Sequence, residues 1–261
     1  MKTICLSCLI YTLKDKPVED NAYLEVFFIW LSKVIEFGGL VESDQLNIHI
    51  DKRTIDYLQV TDTVLGTLVS KLPCPYKFIQ IEPPSTPLEG MMSRYLLTDY
   101  DKDVYLYSDI DILIIRPFRI FTDKLKGNML YICSEGDLTD DNYGIGFPAD
   151  FLKDGQPGFS SGKFAITSKD KRDHFFRCIQ EICDHSTNFY TLDQPFFNRA
   201  IYMMPMEYFN TELMSEYVSF NGDSYKKDAT IFYDNAGDVG SGLHKLKKMV
   251  GVLCGFAVGE C

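Results

Sequence analysis

The sequence predicts one α/β domain: a Rossmann-like, mixed and mostly parallel sheet flanked by helices. Three observations carry this expectation. Short apolar strands alternate with segments of helical spacing through the first half, the pattern of βαβ units. The 261 residues, 46% of them hydrophobic, suffice for one sizeable core. No internal repeat or low-complexity linker divides the chain.

The segment ICLSCLIY at 4–11 opens the sheet. Its apolar part is short and no cleavage site follows, so it reads as a strand entering a loop rather than a leader. Asp20 or Asn21 caps a helix in which Leu24, Phe27, Phe28, Leu31, Val34 and Ile35 recur at helical spacing until Gly38-Gly39 stops it. Residues 46–50 alternate as a second strand, with His49 read as structural. A helix follows over 61–71 up to Pro73, and a strand over 76–81. Thr86-Pro87 starts a helix over 88–98 that carries Arg94. From Val104 to Ile115 the chain reads as extended throughout, including Ser-Asp-Ile-Asp at 108–111. In the second half, 129–133 reads as a strand and 134–158 as a long Gly-, Pro- and Asp-rich functional loop or lid. A strand over 164–167 leads to a helix that Ser168 caps and that runs to about Cys183. Thr191 or Asp193 begins another, with Pro195 in its first turn. A late strand over 229–233 precedes the glycine-rich stretch 235–242 and the basic run His244-Lys-Leu-Lys-Lys248.

The formal charge of -11, from 37 acidic against 26 basic residues, leaves no basic footprint for nucleic acid. It also means that any phosphate bound here needs local positive charge or a metal ion. No apolar run reaches the roughly 18 residues of a membrane helix, and the best candidate, Val26 to Ile35, is broken by Ser32 and Lys33. A soluble, unanchored cytoplasmic protein, of bacterial style or viral in a host cytosol, is expected. The cysteines at 5, 8, 74, 133, 178, 183, 254 and 261 form no CxxC repeat and are read as reduced thiols. Cys5 and Cys8, three apart in a strand, face opposite ways and do not converge on zinc.

Asp109 and Asp111 stand out. In an extended segment, residues two apart share a face, so two carboxylates are forced together between VYLY and ILII while Ile110 turns to the core. Such a placement is costly without a cation. Either Mg²⁺ or Mn²⁺ supplies it, as hard oxygen-liganded ions do, or Lys102 or Arg116 pairs with the acids in an ion network.

The surrounding blocks narrow the choice. Arg94-Tyr-Leu-Leu, then Asp101 to Leu113 with its Asp109-Ile-Asp111, then Arg116-Pro117 resembles the DxD region of nucleotide-sugar glycosyltransferases of the GT-A fold. It is especially similar to the glycogenin-like and lipopolysaccharide galactosyltransferase-like families. Gly158-Phe-Ser-Ser-Gly-Lys-Phe-Ala-Ile166 resembles their second block, with Ser160 where they usually have asparagine. Leu192-Asp-Gln-Pro-Phe-Phe-Asn198 resembles their third. The resemblance implies a GT-A fold, with residues 1–117 as the nucleotide-binding half and 118–261 as the acceptor-binding half. It implies transfer of a sugar from a nucleotide-sugar, a UDP-sugar by analogy, to a glycan or other hydroxyl acceptor. Asp109 and Asp111 would bind Mn²⁺ or Mg²⁺ at the diphosphate, Tyr11 would stack on the base and Arg94 would reach the diphosphate or sugar. Ser161, Gly162, Asp193 and Gln194 would line the sugar and acceptor site. The third metal ligand falls near Asp234 or Asn235, or at His244, which is favoured because Lys245 and Lys247 beside it can hold phosphate. Inversion would use a carboxylate base, Asp193 first, then Asp150 or Asp154; retention would place Gln194 at the reacting face.

Two other readings use the same residues. A DxD-nucleophile phosphatase also needs Mg²⁺, but that class carries its motif on the first strand, with threonine or valine where this chain has Leu113. A non-catalytic sugar-binding protein would exploit the 14% aromatic content.

Overall fold

The computed structural model describes residues 1–61, 63–148, 151–152, 155–186, 192–220, 229–234 and 241–258. Its first half runs β1 (Ile4–Ile10), α1 (Tyr23–Phe37), β2 (Gln45–Asp51), α2 (Lys52–Thr61), α3 (Thr63–Val69), β3 (Tyr76–Ile81), α4 (Pro87–Met92), β4 (Val104–Ser108) and β5 (Ile112–Ile114). The second half runs α5 (Arg119–Thr122), β6 (Leu130–Asp137), α6 (Asp141–Gly144), β7 (Pro157–Ile166), α7 (Lys169–Asp184), α8 (Gln194–Met203), β8 (Phe209–Asn210), β9 (Val218–Phe220), β10 (Phe232–Asp234) and α9 (Gly242–Val258).

The main sheet has the order β3-β2-β1-β4-β7-β6-β8. Its first four strands are mutually parallel, β7 is antiparallel to both β4 and β6, and β8 is parallel to β6. From β1 the chain builds outward to β2 and β3, then returns to place β4 on the other side of β1. The strand order therefore reverses between β1 and β4, and the crevice beyond their carboxyl ends is where such sheets receive ligands. A smaller sheet, β5-β10-β9, starts where β4 leaves off.

Both faces of the main sheet are covered, as a parallel sheet requires. β1 shows the period of two directly. Ile4, Leu6, Cys8 and Ile10 enter one core with Phe27, Trp30 and Leu31 of α1 and the apolar residues of the small sheet. Cys5 and Leu9 enter the other, with Phe175 and Phe176 of α7 and Phe196 and Phe197 of α8. Cys5 and Cys8 thus lie on opposite sides of the sheet, as strand geometry predicts. The seven cysteines among the described residues are free thiols. The aromatic content is largely core: Tyr105, Tyr107, Phe164, Phe176 and Phe197 form one ring-contact network. This removes the compositional support for a sugar-binding surface. Among the described residues, no helix is long and apolar enough to cross a membrane.

Several local expectations hold for the stated reason. Gly39 adopts φ +63, the left-handed stop after α1. A Cβ there would lie 2.9 Å from Pro117, so the loop after β5 packs on the end of α1. Thr86 accepts from the Glu89 amide at α4, and Ser168 from the Lys171 amide at α7.

Others do not hold. Asn21 does not cap α1 in the usual way. Its side chain accepts from the Tyr23 amide but donates to the Tyr11 carbonyl and to Thr12 Oγ1, tying α1 to the end of β1. The helix expected over 61–71 is present as α3, but an unexpected helix, α2, precedes it, because buried Asp51 accepts from the Thr54 amide and starts that helix directly from β2. The helix expected over 88–98 ends at Met92, and a single tighter turn carries Arg94 and Tyr95. The loop expected over 134–158 is shorter at both ends: β6 extends to Asp137 and β7 begins at Pro157. Gly136 and Gly158 pair across those strands, and the Tyr143 ring lies over both. Finally, 108–111 is not extended throughout. The chain turns at Asp109 to Asp111, with the Ile112 amide donating to the Asp109 carbonyl, as it passes from one sheet to the other.

His49 is structural, as expected. It is fully buried in β2, with Nδ1 3.1 Å from the Ser93 carbonyl and Nε2 without a partner. Burial pushes its pKa down to about 4, although the Ser93 bond opposes the shift. The folded value lies below the unfolded one, so the unfolded chain binds the extra proton and stability falls as pH drops from about 6.5 to about 4. Denaturant titrations across this window should show His49→Asn losing a pH-dependent component of about 3 kcal/mol.

Candidate active site

A cavity of about 640 Å³ opens at the β1/β4 switch point. β1 contributes its end and the residues after it, Leu9 to Leu13. The turn after β4 contributes Asp109, Ile110 and Asp111, and α4 with its following turn contributes Pro87, Met91 and Arg94. Tyr23 comes from the start of α1, and Ser241, Gly242, Leu243 and Lys245 from the start of α9. The two aspartates therefore face one cavity through a turn instead of a strand.

Arg94 organises the inner wall. Its side chain is only 5% exposed and lies between two acids: Nη1 is 3.2 Å from Asp109 Oδ1, and Nε is 3.4 Å from Asp193 Oδ2. It also donates to the Ser161 carbonyl at 2.9 Å and the Met91 carbonyl at 3.2 Å, and its guanidinium lies over the Tyr107 ring. Burial works against the charge, but Asp109 and Asp193 outweigh it and hold Arg94 well above its ordinary range.

Asp109 accepts from the Tyr107 hydroxyl at 2.7 Å, and its amide donates to the Gly162 carbonyl at 2.7 Å. Its pKa is pushed up to about 6, chiefly by burial; Asp111 adds to the rise, and Arg94 and the Tyr107 bond oppose it. Asp111 is bonded to the Lys245 ammonium. The acids are thus compensated by Arg94 and Lys245. Lys102, one expected partner, pairs with Asp101, and Arg116 does not line the cavity.

Gly162 belongs here for a steric reason. A Cβ on it would lie 2.8 Å from Asp109 Oδ2, so only glycine in β7 lets that carboxylate keep its place. Ser161 holds its neighbours through its backbone: its carbonyl accepts from Arg94, and its amide donates to Gln194 Oε1 at 3.2 Å. Asn198, about one turn after Gln194 on α8, bonds both the amide and the carbonyl of Phe159, fixing α8 to β7. Tyr11 lines the cavity with its ring packed on Gly90, where an added Cβ would come within 2.3 Å, and its hydroxyl donates to the Pro87 carbonyl.

Three sequence expectations need correction. Asp193 is 2% exposed and does not line the cavity. Its carboxyl receives the Tyr95 hydroxyl and faces Arg94, so it positions the guanidinium instead of meeting an acceptor. His244 and Lys247 are exposed on α9 and outside the cavity lining, whereas Lys245 enters it. Asp234 is buried in β10 against the Lys163 ammonium, which also reaches Glu135 at 3.3 Å and Ser160 Oγ at 3.1 Å. The serine at 160 thus serves a buried lysine of the same strand. Among the described residues, no three His, Cys, Asp or Glu side chains gather as a metal site. Asp150, Asp154, Thr191, Asn235 and Gly237 lie outside the described residues.

Tyr95, Tyr107, Lys163 and Asn21 escaped sequence reasoning. Tyr95 adjoins Arg94 and Tyr107 precedes Asp109 by two residues, so proximity to the acids was the available signal. Nothing local marks Lys163, and Asn21 is marked only as a candidate helix cap.

No protein-family model and no curated protein matches the sequence. Among solved structures, the chain is similar to the apo crystal structure of mouse xyloside xylosyltransferase 1. The TM-score is 0.51 at 15% identity, over 84% of this chain and 87% of that one. The fold is that of a GT-A glycosyltransferase. In this GT-A fold the cavity falls at the strand-order reversal, and both aspartates stand at its floor.

Removing one of the acids that flank buried Arg94 should be expensive. Urea unfolding of Asp193→Ala is expected to show a loss of about 3 kcal/mol. Gly162→Ala pushes the Asp109 carboxylate against its bonds to Arg94 and Tyr107, and its loss should be about 1–3 kcal/mol.

Proposed function

We propose that this protein is a metal-dependent glycosyltransferase that moves a sugar from a nucleotide-sugar, a UDP-sugar in our reading, to a glycan or other hydroxyl acceptor. The observation that carries the proposal is the convergence of Asp109, Asp111, Arg94 and Lys245 on one cavity at the β1/β4 switch point. The GT-A likeness supports the class of reaction. Residues 1–117 supply most of the cavity and would form the nucleotide half, with 118–261 as the acceptor half; the first turn of α9 crosses over to complete the nucleotide side.

The donor set suits a hard divalent ion. Mg²⁺ and Mn²⁺ accept one or two carboxylates and complete their shell with water and phosphate oxygens, so Asp109 and Asp111 would hold Mn²⁺ or Mg²⁺ without a third protein ligand among the described residues. When bound, the ion supplies electrostatic stabilisation of the departing diphosphate. This chain's own residues do the rest. Lys245 adds a positive charge at the same wall, which matters in a protein of net charge -11. Arg94, locked by Asp193 and the Ser161 carbonyl, keeps Asp109 oriented and presents part of its charge to the cavity. Tyr11, flat on Gly90, offers an aromatic wall for the base. Gln194, tethered to the Ser161 amide, stands at the start of α8 beside the β7 block and is our candidate for the acceptor side.

Asp109→Asn and Asp111→Asn should each abolish manganese-dependent UDP-sugar hydrolysis while the circular dichroism spectrum stays that of the folded wild type, with Asp109→Asn the less stable of the two. Hydrolysis at the wild-type rate would overturn the assignment. A thermal-shift series of nucleotide-sugars with and without Mn²⁺ names the donor by selective stabilisation.

A further inference from the structure

Of the cations that line the cavity, Arg94 and Lys245 lie against the two aspartates, and they differ in how they are held. Arg94 is 5% exposed and is fixed by two acids and two backbone carbonyls. Lys245 is 19% exposed in its side chain, and among the described residues its ammonium bonds Asp111. Its stem rises from the first turn of α9, which is seated on α1: a Cβ on Gly242 would lie 2.9 Å from the Tyr23 ring. A lysine is a compact charge on a rotatable stem and exchanges partners easily, where a forked guanidinium in a tailored socket does not.

The ammonium already neutralises Asp111 through one carboxylate oxygen, and its charge opposes a divalent ion brought to the same group. A diphosphate in the same cavity offers the ammonium another anionic partner by a charge-assisted contact. We propose that Lys245 is an exchangeable counter-ion: it holds Asp111 until a nucleoside diphosphate group arrives, then transfers to the phosphates and releases the carboxylate to the metal. This rests on the metal-dependent donor site proposed above. Cation and nucleotide then bind as a coupled pair, each raising the affinity of the other by the same factor. A cation alone binds weakly because it must first displace the lysine.

The test is a titration of the full chain with Mn²⁺, followed by the free-ion electron paramagnetic resonance signal, with and without UDP. The wild-type protein should bind Mn²⁺ alone weakly, and UDP should tighten that binding at least about tenfold. Lys245→Met keeps the stem without the charge; it should bind Mn²⁺ alone about tenfold more tightly than wild type and show little further gain from UDP. Lys245→Gln should follow it, and Lys245→Arg should retain the weak binding of the wild type. Melting curves without Mn²⁺ establish that each variant is folded. Equal affinity of wild type, Lys245→Met and Lys245→Gln for Mn²⁺ alone, with the UDP effect intact, overturns the exchange and leaves the donor site standing. Failure of every form to bind Mn²⁺, with or without UDP, overturns both.

Discussion

A guanidinium removed from water must find its counter-charges within the fold, and Arg94 finds them in Asp109 and Asp193. The arrangement is mutual. Each acid is buried or half-buried, and each is tolerated because Arg94 lies between them. Through its remaining donors Arg94 also grips carbonyls of α4 and β7, so the turn after β4, the middle of β7, the end of α4 and the start of α8 share one charged hub. Tyr95 and Tyr107 close the polar sides of the network with their hydroxyls. A network satisfied on all sides is rigid as well as tolerable. The inner wall of the cavity is therefore set before any ligand arrives.

The outer wall is built on different terms. β4 ends at the switch point, and the chain turns through Asp109 to Asp111 to found the second sheet with β5. That second sheet is fastened to the first by another buried pair, Lys163 of β7 with Asp234 of β10. Burial disfavours the charged lysine, but Asp234 prevails and holds it protonated, above its ordinary range. The acidic turn is thereby pinned from both sheets, and α9 is laid over it. A fixed arginine and a reachable lysine thus serve two acids that are two residues apart.

Much of this architecture was legible in the sequence, because β1, β2, β3, β4, α1 and α7 carry clean apolar periodicity and clear stops such as Gly39. The aspartates were legible as two charges in an apolar setting. What was not legible depends on contacts between distant parts of the chain. β7 starts well before the strand expected over 164–167, because glycine and serine at 158–162 lack intrinsic strand character and become strand by pairing with β6. α2 was hidden by its β-branched residues and by a start that follows β2 without a break. Asp193 carries the residue type of a helix cap or a base, and only the fold shows that it faces Arg94. The pairing of Asp111 with Lys245 spans 134 residues, beyond any local pattern.

The segment between β6 and β7 has a small core of its own, in which Leu138, Tyr143 and Phe147 pack with Leu152 and Tyr202. It joins the α7/α8 core through Tyr202, whose ring meets both Phe147 and Phe159, and it is moored by the Tyr143 ring across the glycine pair of β6 and β7. Leu138, Tyr143 and Phe147 thus hang on the sheet through two tyrosine rings, and changes among them would leave the Arg94 network with its own bonds intact.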